Sequence, residues 1–332
     1  MEAKFTSLLE TARQVASTRQ ASVPAVIKEL LHYEIIQALV DSGSAASLVF
    51  QGGTALRLCY GGLRYSEDLD FAGGLEFSPS VMKPFMNRII ENVGTTYGLS
   101  VDVDEHLPNE EDNVPVGRWK SKIVLPQYDR SLKQSYVIHI EVAKVPAYTS
   151  ETRSIQPISN STSYSYRSLM LKTESREEIL ADKIVALVGR SYLKQRDLWD
   201  IHMLTQEYVK LDTELVQRKV ADYHLDPNGF HGTLQARAEQ ITQPHTATAF
   251  QKEMSRFLDA SLQKALQNKE YVRQILTTVA DVASQAAKHM GISDQDPSVD
   301  HGFQPALASE KNNEHIEPDS PPVGRRSGKG IR

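Results

Sequence analysis

Between Phe50 and Phe71 the chain reads F-Q-G-G-T-A-L-R-L-C-Y-G-G-L-R-Y-S-E-D-L-D-F, and no other stretch constrains the fold as strongly. A short apolar strand, Ser47 to Gln51, runs into the nearly side-chain-free turn Gly52-Gly53-Thr54, the mark of a strand-to-helix junction. A helix from Thr54 to Tyr60 stops at Gly61-Gly62, and Arg64 to Phe71 reads as the next strand. Along it Ser66, Asp68 and Asp70 alternate, so all three share one face. Two carboxylates on one face repel each other and are costly to pack without a counter-charge. A divalent cation with oxygen ligands relieves that cost, and Mg²⁺ in such sites also binds the phosphates of a nucleotide. Mg²⁺ is therefore the expected cofactor, with Mn²⁺ as the alternative, and an NTP the expected substrate.

The turn suits that role. Gly52 and Gly53 let backbone N–H groups approach a triphosphate closely. Thr54 or Ser66 would donate a hydroxyl to a phosphate oxygen. Arg57, one helical turn beyond Thr54, would reach the phosphates or pair with Asp68 or Asp70. No Gly-Lys-Ser/Thr follows, so this is not a Walker A loop. Asp102 and Asp104 repeat the D-x-D spacing without a glycine turn and read as a solvated strand face.

Elsewhere, residues 4–17 and 24–41 have the spacing of amphipathic helices, the second stopped by Gly43. Pro79 to Tyr97 reads as a helix; Leu99–Glu105, Lys120–Pro126 and Ser135–Lys144 read as strands, the last placing His139 and Glu141 on one face. Residues 149–167, rich in Ser, Thr and Tyr, read as a linker or a loop over the site. Ser175-Arg-Glu-Glu178 has the capping-box form and opens a helix to about Gly189. Helix follows to about residue 288, with breaks near Pro227–Gly232 and Pro244. The expected class is α+β. Residues 1–160 would form the mixed-sheet domain, 168–290 a helical domain, and 291–332 a disordered tail ending in the basic cluster Arg325, Arg326, Lys329 and Arg332.

The pattern resembles the minimal nucleotidyltransferases of the DNA-polymerase-β-like superfamily, and more narrowly the AbiEii/AbiGii-type toxins of type IV toxin–antitoxin (abortive-infection) systems. Two motif blocks carry the resemblance over roughly residues 20–205. One is Gly52 to Leu58 with Arg64 to Phe71; the other is Ala181 to Leu187, Arg190 and Arg196 to Ile201. It implies a polymerase-β-like domain with Asp68 and Asp70 as metal ligands and a third carboxylate from a neighbouring strand, for which Glu141 is the candidate, as ligand or as base. It makes Lys183 a phosphate ligand and Asp197 a site residue. Arg190 and Arg196 would hold nucleotide or acceptor, or else join an intrahelical ion-pair network in which Asp200, three residues from Asp197, has an equal claim. It further implies an acceptor such as tRNA and a cognate antitoxin. A protein or small-molecule acceptor such as an aminoglycoside, or a non-catalytic nucleotide-binding regulator, is the alternative reading.

Composition bounds these readings. The 332 residues suffice for a full core, and the formal charge of −5 argues against a global electrostatic hold on nucleic acid while leaving room for a local basic cleft. No apolar run approaches the roughly 20 residues of a membrane span, and the first residues do not have a signal peptide's order of charge and apolarity. The lone cysteine, Cys59, excludes an intrachain disulfide and a cysteine-based zinc site; it fits a reducing cytoplasm and reads as core. The histidines are too scattered for a zinc site, and Ser66 has no histidine partner for acyl transfer.

Overall fold

The computed structural model describes residues 2–91, 100–102, 118–125, 136–156 and 169–292. Two helices open the chain, α1 (Glu2–Arg19) and α2 (Val23–Asp41). Pro24 sits in the first turn of α2, where its missing N–H costs nothing. Gly43 follows at φ +77°, the left-handed stop that a side chain would resist. Strand β1 (Val49–Gln51) leads directly into α3 (Gly52–Cys59), then come β2 (Leu69–Ala72), a 3₁₀ turn (Pro79–Met82) and α4 (Lys83–Ile89). Strands β3 (Ser100–Asp102), β4 (Arg118–Leu125), β5 (Tyr136–Ala143), β6 (Ser150–Ser154) and β7 (Met170–Glu174) complete the sheet. Among the described residues seven helices follow: α5 (Arg176–Gly189), α6 (Gln195–Gln206), α7 (Thr213–Asp222), α8 (Pro227–Ile241), α9 (Pro244–Met254), α10 (Ala260–Ala265) and α11 (Lys269–Ile292).

The class is α+β, a mixed sheet followed by helices. Among the described residues its seven strands run in the order β3-β4-β5-β2-β1-β7-β6. β2 is antiparallel to β1 and parallel to β5, with Leu69 opposite Ile140 and Asp70 opposite Glu141. Because alternate residues face opposite ways, Leu69, Phe71, Ile138, Ile140 and Val142 go to the core while Asp70 and Glu141 stand side by side on the other face. Phe50 stacks on Phe71 at 5.1 Å and anchors the central strands.

Several local expectations change. The strand carrying the carboxylates is only Leu69–Ala72, so Ser66 and Asp68 lie in the irregular segment leading to it and not on a ladder. The helix after the glycine turn starts at Gly52, and that expected at Pro79–Tyr97 is a 3₁₀ turn and a short α4, with residues 92–97 outside those described. In the expected linker, Ser150–Ser154 is strand β6, paired antiparallel with β7, which the sequence did not suggest because its apolar residues are few. β7 comes from beyond residue 168 yet pairs parallel with β1, so the helical part of the chain contributes a strand to the same sheet. Pro227 and Pro244 begin helices instead of merely breaking them. Asp104 and the tail from residue 293 lie outside the described residues.

Candidate active site

The N-terminus of α3, β2, β5, α5 and the loop between α5 and α6 surround a cleft of about 520 Å³, within the range of small-molecule sites. Gln51, Gly52, Gly53, Ser66, Asp68, Asp70, His139 and Glu141 form one wall; Asp182, Lys183, Arg190, Lys194, Arg196 and Asp197 form the other. The two motif blocks, more than a hundred residues apart in sequence, meet here.

The glycines have separate reasons. Gly52 has φ +75°, and a Cβ there would lie 3.1 Å from Asp70 Oδ2. At Gly53 a Cβ would run into the guanidinium of Arg64. Gly53 thus admits a buried arginine as well as keeping the turn bare. Thr54 is fully buried and donates its hydroxyl to the Asp68 carbonyl, so of the two expected hydroxyl donors only Ser66 lines the cleft. Arg57 does not line it either. Its Nε donates to Glu29 Oε2 at 2.8 Å, its guanidinium also bonds the Gly62 carbonyl at 2.9 Å, and it stacks over Tyr65 at 4.4 Å. It holds α3 to α2, because the helix turns this position away from the turn's open side.

On the acidic wall, Asp68 Oδ1 accepts from the His139 N–H at 3.3 Å. Asp70 titrates near 6, well above an ordinary aspartate, first because it is buried and then because Glu141 and Asp68 repel its charge. Among the described residues, no three Asp, Glu, His or Cys side chains close around a point as a ready metal cage. Asp70 and Glu141 are neighbours by strand register, and Asp68, which lines the same cleft, gives its Oδ1 to a backbone N–H. The donors still fit a hard divalent cation. Mg²⁺ needs only one or two protein carboxylates, with waters and phosphates completing its shell, and the raised titration of Asp70 marks an under-compensated negative site.

The basic wall is an alternating chain of charges. Asp200 accepts from Arg64 Nε at 2.6 Å and, with its other oxygen, from a terminal Arg64 nitrogen at 2.6 Å. Lys183 Nζ lies 2.9 Å from Asp200 and 2.5 Å from Asp197, which also accepts from Arg190. These cations hold the Asp197 and Asp200 carboxyls below the usual range, although burial alone would raise them. The spacing put Asp197 and Asp200 on one face of α6; only the fold shows that Arg64 reaches Asp200 and that both carboxylates clamp Lys183. Arg196 pairs with Glu67 at 3.0 Å, and Glu67 in turn accepts from Lys28 at 3.0 Å. Lys194, Asp182 and His139 also line the cleft and were not singled out as site residues by the sequence.

Helix α5 is built to carry the wall. Ser175 caps it by accepting from the Glu178 N–H at 3.1 Å, and Glu177 and Glu178 suit its positive end. The capping box stays half-formed, because the Glu178 carboxylate accepts from Tyr148 and Thr149 N–H groups. On the same side, wholly buried Lys219 meets Glu174 at 3.2 Å, Glu178 at 2.7 Å and Asp182 at 3.3 Å. One ammonium serves three carboxylates. Burial, with repulsion from its acidic neighbours, raises the Glu174 carboxyl strongly, and burial raises that of Asp182.

Solved structures offer loose overlaps. MenT4, a nucleotidyltransferase toxin from Mycobacterium tuberculosis H37Rv, matches at 15% identity and TM-score 0.49 over 85% of this chain and 97% of its own. JHP933 from Helicobacter pylori matches at 19% identity and TM-score 0.42 over 82% of this chain and 97% of its own. No curated protein matches the sequence. The decisive comparison is with a family profile, "Nucleotidyl transferase AbiEii toxin, Type IV TA system", which matches residues 34–284 and so takes in both walls of the cleft. The chain belongs to the AbiEii nucleotidyltransferase toxin family.

Proposed function

We propose that this nucleotidyltransferase moves a nucleoside monophosphate from an NTP to a hydroxyl of tRNA in a Mg²⁺-dependent reaction, in the cytoplasm, as a toxin held in check by an antitoxin protein. The observation that supports it best is the opposition of the Asp70–Glu141 pair to a buried, carboxylate-clamped lysine across one cleft. Membership of a type IV toxin–antitoxin family supports the antitoxin. Among the described residues no helix is long and apolar enough to cross a membrane.

In the proposed reaction the acceptor oxygen attacks the α-phosphorus, a new P–O bond forms, and the bond to the β-phosphate breaks, releasing pyrophosphate. Bound by Asp70 with Asp68 or Glu141, Mg²⁺ would supply charge neutralisation on the phosphate oxygens. Glu141, beside Asp70 and reaching into the cleft, takes the proton of the attacking hydroxyl. Ser66 donates its hydroxyl to a phosphate oxygen, and the bare turn at Gly52-Gly53 offers backbone N–H groups. Lys183, with Asp197 and Asp200 fixing its ammonium, keeps the opposite wall positive. Catalysis of this kind is mostly positioning and charge stabilisation.

The test is to incubate the purified protein with labelled NTPs, Mg²⁺ and total RNA beside its Asp70→Ala variant. Label entering tRNA with wild type alone supports the proposal. Label entering protein or a small acceptor instead would replace the acceptor; nucleotide binding with no transfer to any acceptor would favour a regulator.

A further inference from the structure

Five basic side chains line the cleft: Arg64, Lys183, Arg190, Lys194 and Arg196. Four of them are engaged by carboxylates. Arg64 is held by Asp200, Lys183 by Asp197 and Asp200, Arg190 by Asp197, and Arg196 by Glu67 at 3.0 Å and more loosely by Glu253 at 3.6 Å. Lys194 alone among these makes no ion pair or hydrogen bond to any described residue through its ammonium. It is half-buried, with the cations Arg196, Arg190 and Lys183 near it as well as the Asp197 carboxylate, which Lys183 and Arg190 already hold. Burial, then Arg196, Arg190 and Lys183, push its ammonium below the ordinary lysine range against the attraction of Asp197. Leaving an ammonium partly desolvated among cations is unfavourable unless an anion completes the site.

Its place points the same way. Lys194 lines the same cleft as Asp70, Glu141 and Ser66. Lys194 is also the N-cap residue of α6 and makes no side-chain cap bond, so the positive end of that helix adds to its field. An ammonium is a compact point charge suited to phosphate oxygens. We propose that Lys194, and not Lys183, is the side chain that grips the polyphosphate of the nucleotide, while Lys183 is a positioning residue locked between Asp197 and Asp200. The inference rests on the nucleotidyl-transfer reading of the same cleft.

The experiment compares wild type, Lys194→Gln and Lys194→Arg by calorimetric titration with inorganic tripolyphosphate, then ATP and CTP, each with Mg²⁺, beside a thermal melt of each protein. Loss of one unscreened contact to a polyanion in a partly desolvated cleft should weaken tripolyphosphate binding about 10- to 100-fold in Lys194→Gln. Lys194→Arg should recover most of it. The melting temperature of Lys194→Gln should equal or exceed that of wild type, since no native ion pair is lost. Unchanged tripolyphosphate affinity in Lys194→Gln, or a melt several degrees lower, overturns the assignment. If wild type itself binds neither tripolyphosphate nor nucleotide, the nucleotidyl-transfer reading of the cleft fails with it; if wild type binds and Lys194→Gln binds equally, only the role of Lys194 fails.

Discussion

Replacing Asp70 by Asn should stabilise the protein while abolishing transfer. Asp70 titrates near 6 in the fold, against about 3.9 for an aspartate in an unfolded chain. At 1.36 kcal/mol per pH unit, ionising it in the fold costs up to about 3 kcal/mol at neutral pH. Part of the carboxyl faces the cleft, so solvent reduces the realistic figure to about 1–2 kcal/mol. The sign follows from proton counts. Between about pH 4 and 6 the folded state holds more protons at this site than the unfolded state, so stability falls as pH rises through that window, and the whole penalty stands above it. Asn is close to isosteric and removes the charge that Glu141 and Asp68 repel. With unfolding entropy near 2.1 cal/mol/K per residue, the gain corresponds to roughly 2–3 °C in melting temperature at pH 7.5 in EDTA, shrinking toward zero near pH 4. Adding Mg²⁺ should raise the wild-type melt and leave the variant unmoved. Thermal melts across pH, with and without the ion, read all of this. A variant that melts lower than wild type at pH 7.5, or a gain independent of pH, would refute the electrostatic account of Asp70.

Three further outcomes are expected. Lys183→Ala leaves Asp197 and Asp200 with one cation fewer in a buried setting, and should cost about 3–5 kcal/mol by chemical denaturation, so a variant of wild-type stability would dissolve the clamp. Lys219→Met strands Glu174, Glu178 and Asp182. Its deficit should be about 3–5 kcal/mol at pH 8 and smaller at pH 5, because the Glu174 and Asp182 carboxyls already titrate high and acid neutralises them; a pH-independent deficit would contradict this. Arg57→Gln should lower the melting temperature through the lost Glu29 bridge yet leave the KM for NTP within about twofold, and a large KM change would return Arg57 to the site.

How much of this was legible beforehand varies with the range of the interaction. Asp68 and Asp70 beside Gly52-Gly53, the Ser175 cap and the side-by-side facing of His139 and Glu141 are local patterns, set by periods of 2 and 3.6 residues and by turn chemistry. The α+β class follows from the same patterns. Strand β7 was not legible, because a five-residue segment whose buried positions are Leu171, Thr173 and Glu174 carries little apolar signal and is recognised only when β1 lies beside it. The fate of a charged side chain was the least legible of all. Arg57, Arg64, Lys183, Arg190, Lys194 and Arg196 are equivalent cations in a sequence.

What the sequence determined by itself is the Gly52-Gly53 turn with the Asp68–Asp70 pair, because these features lie at most 18 positions apart. Only the tertiary structure decided which cation each carboxylate would take, since Asp200 meets Arg64 across 136 positions and Lys219 meets Glu174 across 45. Coulomb attraction and desolvation depend on distance and burial, and neither quantity exists until the chain has folded.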